Sequence, residues 1–130
     1  MLNNLFSFSL ARNVYVQVRR NQFKIRNFGS GFDATVVAQA PFTTTRLLIG
    51  QFVVAQNTLK EALKQEAKDH FLAVSPYIVI HPLEMVEGGL SEIEERIFRE
   101  VAVGAGASKV VVWFGHELND VEVKEKLSGS

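Results

Sequence analysis

The stretch EGGLSEIEERIFREVAVGAGASKVVVW, residues 87–113, decides the fold class. Gly88 and Gly89 turn the chain. Ser91 and Glu94 stand three apart, as in a capping box: the serine oxygen accepts one orphan helix N–H and the carboxylate accepts the N-cap N–H. Ile93, Ile97, Phe98, Val101, Ala102 and Ala105 then recur at helical period, so they should form a buried stripe. Glu92–Arg96 and Glu95–Arg99 are spaced i,i+4 with the acid first, the favourable order. Gly106 fits a left-handed helix stop. KVVVWF, from Lys109, follows as a continuous apolar run rich in β-branched residues. A capped helix that feeds such a strand is half of a β-α-β unit.

The same logic extends towards the N-terminus. YIVI, from Tyr77, has the composition of a central strand covered on both faces, and His81-Pro82 should stop it. In NTLKEALKQEAKDHF the residues Leu59, Ala62, Leu63, Ala67 and Phe71 again fall at helical spacing, and Thr58 with Glu61 matches a second capping box. The first third of the chain instead alternates with period two. NVYVQV places Val14, Val16 and Val18 inward and leaves Tyr15 and Gln17 on a wetter face. RRNQ is a polar turn into FKIRNF, which gives a β-hairpin. ATVVAQA is a third strand, stopped at Pro41. TTRLLIGQFVVA, residues 44–55, reads as a further extended segment bent at Gly50. NDVEVKEKL suggests a short helix capped by Asn119 or Asp120. The fold class is therefore α/β (α+β in some schemes): one domain over residues 1–130, with a mixed five-stranded sheet in the order β-β-β-α-β-α-β.

Composition narrows the function. The 130 residues are 47% hydrophobic and 22% charged, enough for one packed core. Lysine plus arginine equals aspartate plus glutamate at 14 each, so no global field draws in nucleic acid or an anionic membrane. The chain has no cysteine, which excludes disulfides and thiolate metal sites and fits a cytoplasmic protein. No run reaches the roughly 20 apolar residues of a membrane span. The N-terminal segment lacks the basic start of a signal peptide.

The segments YIVIHP and GGLSEIEERIFREVAVGAGASKVVVW, with VYVQVRRNQFKI, ATVVAQA and FVVAQNTLKEALK, resemble the first half of the actin-like ATPases, most closely their bacterial, MreB-type branch. The resemblance covers roughly residues 6–114 and implies one ribonuclease H-like subdomain (IA) of a longer architecture. It also implies a nucleotide site, and there the sequence departs. The family's phosphate hairpin reads Asp-Leu-Gly-Thr, whereas FSLARNVYV stands here, with Leu10-Ala11-Arg12 in place of the acid and the glycine. A Cβ intrudes where a phosphate must approach, and no carboxylate holds the Mg²⁺ shell. The half of the family that carries the second phosphate loop is missing. The expectation is a non-catalytic module with no cofactor, acting through protein–protein contacts. A homodimer and a link to cell-shape or cytoskeletal machinery belong to the same expectation.

Two other chemistries deserve a place. His81 and His116 each follow an apolar strand and could meet at the strand ends, where open α/β sheets bind ligands. Glu84 or Glu117 could join them in a metal-assisted or small-molecule enzyme, although edge histidines are the simpler reading. Arg12, Arg19, Arg20, Lys24 and Arg26 concentrate positive charge on the N-terminal hairpin. They could dock an acidic partner or, less readily, nucleic acid. No catalytic, cofactor-binding or metal-ligating residue is assigned. The aromatics Phe6, Phe8, Phe28, Phe32 and Phe42 fall outside the periodic segments and could form an exposed contact surface.

Overall fold

The computed structural model describes residues 12–70 and 72–129. Phe6, Phe8, Phe71 and the Leu10-Ala11 pair lie outside the described residues. The elements run β1 (Asn13–Arg19), β2 (Gln22–Asn27), β3 (Phe32–Val37), α1 (Phe52–Ala67), β4 (Tyr77–Pro82), α2 (Glu92–Gly104), β5 (Lys109–Val112) and α3 (Asp120–Ser128). The five strands form one mixed sheet in the order β3-β2-β1-β4-β5. β1–β2 and β2–β3 are antiparallel, while β1–β4 and β4–β5 are parallel. The fold class agrees with the expectation from sequence, and the element order agrees loosely, since α3 follows β5.

Alternation assigns the two faces. Val14, Val16, Val18, Phe23, Ile25, Ile78 and Ile80 point to the face covered by α1 and α2, where they meet Leu59, Leu63, Phe98 and Val101 in the main core. Tyr15 and Val79 point to the other face and pack with Leu118, Val123 and Leu127 of α3 and its lead-in. Tyr15 and Gln17 are therefore both buried, not on a wetter face. α3 lies over β1, β4 and β5 and makes no contact with β2 or β3. Among the described residues, half of this sheet face thus carries no helix.

The cap of α2 is as the sequence indicates: Ser91 Oγ accepts from Glu94 N, and Glu94 Oε1 accepts from Ser91 N. Its end is a Schellman motif. Gly106 N donates to Val103 O and Ala107 N to Ala102 O, with Gly106 at φ +121°. α3 is capped in the same way by Asn119 and Glu122.

Several expectations need correction. Residues 44–50 are loop, and the helix of residues 52–55 replaces the extended segment read there. Gly50 is not a strand bulge. It lets the loop close on itself, since a Cβ there would sit 2.2 Å from Thr44 Cγ2. Thr58 lies inside α1, where its hydroxyl bonds back to Val54 O, and Glu61 pairs with Lys64, so no capping box forms there. Ile93 is 72% exposed and leaves the α2 stripe. Arg96 pairs forward with Glu100 rather than back with Glu92, while Glu95–Arg99 forms as read. β5 is an edge strand, half-buried along its length. Pro82 extends β4 instead of stopping it before His81. Phe42 is buried and stacks on Phe23 at 5.1 Å, and Phe28 and Phe32 are half-buried, so these three form no exposed aromatic cluster.

Candidate functional site at the strand ends

Parallel strands β1 and β4 place Gln17 beside His81 near their C-terminal ends. His81 is only 1% exposed, so it is no edge histidine. Its Nε2 lies 2.9 Å from Gly115 O, and its Nδ1 lies 2.6 Å from Tyr15 Oη. A carbonyl only accepts, so Nε2 carries the proton and Nδ1 accepts from the phenol. The Tyr15 oxygen in turn accepts the Leu118 N–H at 3.1 Å and faces Gln17 Nε2 at 3.5 Å. Burial pushes the His81 pKa below its ordinary value and the Tyr15 pKa above its own. Both shifts favour the neutral pair that the hydrogen bonds require.

Around this buried pair lies an open groove. Gln17 Nε2 donates to Glu117 Oε1 at 3.1 Å and fixes the carboxylate at the groove wall. Arg19, Gln22, Lys24 and Thr35 complete a cavity of about 400 Å³. Strand register explains the gathering: Gln17 sits opposite Lys24, Lys24 opposite Thr35, and Arg19 opposite Gln22, all on the face that α3 leaves bare. Among the described residues neither Arg19 nor Lys24 has an ion-pair partner.

The other sequence candidates go elsewhere. Glu84 accepts from the Arg20 backbone N at 2.6 Å and from Arg20 Nη1 at 2.7 Å. The backbone bond, helped by the Arg20 charge, holds its carboxyl below the usual range. His116 turns away from His81 to Glu122 Oε2 at 2.6 Å, and that bond lowers the Glu122 pKa. Trp113 stands between the two histidines, edge-on to both. Among the described residues no three of His, Cys, Asp or Glu converge as metal ligands. The imagined set of His81, His116, Glu84 and Glu117 is not one centre.

The basic hairpin is also divided. Arg26 pairs with Asp33 at 3.5 Å and lies over the Phe28 ring. Arg12 is buried beneath α1, which removes it from any basic surface. Arg19 and Lys24 remain.

Over 101 residues the chain is 41% identical to the uncharacterized protein YjaA of Escherichia coli strain K12, an alignment that spans 74% of this chain and 78% of that relative. The chain belongs to the YjaA family. No family model matches it.

In this YjaA-family chain one buried cluster escaped the sequence reading. Glu66 has a fully buried side chain, and its Oε1 accepts from Arg12 Nε at 3.0 Å and from Arg12 Nη2 at 2.5 Å. Its Oε2 accepts from Asn27 Nδ2 at 3.0 Å. Arg12 also donates to Leu63 O and Val74 O, so one guanidinium ties the start of β1 to both ends of the α1–β4 connection. A cavity of about 630 Å³ opens beside this cluster, under the β2–β3 turn. The signal was present: Glu66 continues the Leu59–Ala62–Leu63 stripe, and a carboxylate on a buried stripe requires a cation.

Among the described residues no helix is long and apolar enough to cross a membrane.

Proposed function

We propose that this YjaA-family protein is a non-catalytic binding module that acts through protein–protein contacts, with the bare half of its sheet as the recognition surface. One contrast carries the reading. The groups that could do acid–base chemistry, Tyr15, His81 and Glu117, are bonded to each other, to Gln17 or to backbone. The cations beside them, Arg19 and Lys24, have no ion-pair partner among the described residues. A surface whose acid–base groups are hydrogen-bonded while its cations have no ion-pair partner among the described residues suits recognition better than catalysis. Charge complementarity of this kind chiefly sets the partner and the association rate. The partner it fits is an acidic protein segment.

A mixed sheet in this element order supports the likeness to an actin-like subdomain. A role beside cell-shape or cytoskeletal machinery, in the cytoplasm, belongs to the same proposal. Two unpaired cations make few phosphate contacts, which disfavours nucleic acid.

Amide NMR with the full chain tests the reading. A glutamate-rich peptide is expected to shift Arg19, Gln22, Lys24 and Thr35, and the effect should fade with salt. ATP with Mg²⁺ should leave spectrum and Tm unchanged. Stabilisation by several degrees with ATP, or its hydrolysis, would overturn the reading.

A further inference from the structure

The edge strand β3 adds a feature that the groove alone does not explain. Antiparallel pairing alternates, so every second residue directs its N–H and C=O away from the neighbouring strand. Ala38 N donates to Asn21 O at 2.9 Å, which fixes the phase. The even-numbered residues of β3 bond to β2, and Asp33, Thr35 and Val37 direct their backbone groups outward. Among the described residues these outward groups have no backbone partner. β3 carries neither lysine nor proline, and Asp33 is its one charge; α1 packs on its inner face, but among the described residues no element pairs with its rim. Its inward side chains Phe32 and Val36 reach the main core but stay only half-buried, because no strand lies beyond them. On the bare face, Lys24 is the cross-strand neighbour of Thr35, one strand in from the rim.

We infer that β3 accepts an extended segment of a partner protein as a sixth strand, and that this segment alternates acidic and aliphatic residues. This rests on the binding-module reading and specifies its mode. Main-chain bonds to Asp33, Thr35 and Val37 supply the pairing, and alternate side chains supply the selectivity. A carboxylate placed opposite Thr35 reaches Lys24, which lies two strand spacings away, about 10 Å. The aliphatic residues between the acids cover Phe32 and Val36 on the other face. Opposite Asp33 an acid is excluded by like charge, so the acidic positions lie towards Val37.

The probe is a capped peptide of alternating glutamate and valine with threonine at the position opposite Asp33, and a peptide with lysine in place of glutamate is the control. Deuterium exchange, read by NMR, should slow at the Asp33, Thr35 and Val37 amides with the acidic peptide only. Thr35→Pro removes one outward donor at an edge position that tolerates proline, so the fold should survive and affinity should fall about tenfold. Lys24→Glu should reverse the preference between the two peptides. If the acidic peptide shifts Arg19 and Lys24 but protects no β3 amide and ignores Thr35→Pro, strand addition is wrong and the groove reading stands. If neither peptide binds, both fall. Concentration-dependent protection of the same amides without peptide would make a second copy the occupant and overturn the acidic partner.

Discussion

Arg12 shows how much of this fold hangs on single polar side chains. Its guanidinium neutralises a carboxylate that water cannot reach. Removing one member of such a pair leaves an uncompensated buried charge, at a cost of roughly 3–5 kcal/mol. Arg12→Met should therefore lower the urea midpoint sharply, while Arg12→Met combined with Glu66→Leu should recover most of the loss. His81 gives a second prediction, in pH. Burial places its folded-state pKa below the unfolded value of about 6.5. As pH falls through that value the unfolded chain takes up the proton first, so stability is full at neutral and higher pH and declines below about pH 6.5. Thermal melts from pH 8 to pH 5 should show this decline, and His81→Gln should flatten it from a lower starting Tm. These residues were only partly legible in sequence. The sequence places His81 at the right strand end but not its burial, because the turn at Gly115 and the phenol of Tyr15 that cover it lie far away along the chain.

At the scale of elements, legibility followed the strength of local chemistry. Ser91–Glu94 and Asn119–Glu122 satisfy helix starts from within four residues; the first stands where the pattern places it, while at α3 the sequence leaves Asn119 and Asp120 open and the structure selects Asn119. The start of α1 was missed. Gln51 makes no side-chain cap, and Phe52-Val53-Val54 has strand-like composition. Tertiary packing of Ala55 and Leu59 overrides that preference. Thr58 looked like a cap, but its hydroxyl serves only to bond back one turn. Substitution separates the two roles. Ser91→Ala should cost about 1 kcal/mol in urea unfolding, whereas Thr58→Ala should stay within roughly 0.5 kcal/mol.

At the scale of the molecule, the five strands and their order along the chain are legible because β1, β2 and β3 alternate with period two and β4 and β5 are short apolar runs between turn signals. The placement of α3 could not. Its apolar residues Val123 and Leu127 say that one side is buried but not against which strands. That choice buries Tyr15 and leaves Lys24 in the open, so the candidate site was visible as residue types and invisible as a place. The parallel ladder between β1 and β4 has a kinetic consequence. Val14 pairs with Ile78, roughly sixty residues further along, while β1, β2 and β3 join through short turns. The meander can assemble from sequence neighbours, but the central ladder must first close a long loop against chain entropy. Refolding should wait on that closure, with the hairpins already formed and their apolar side briefly open to water.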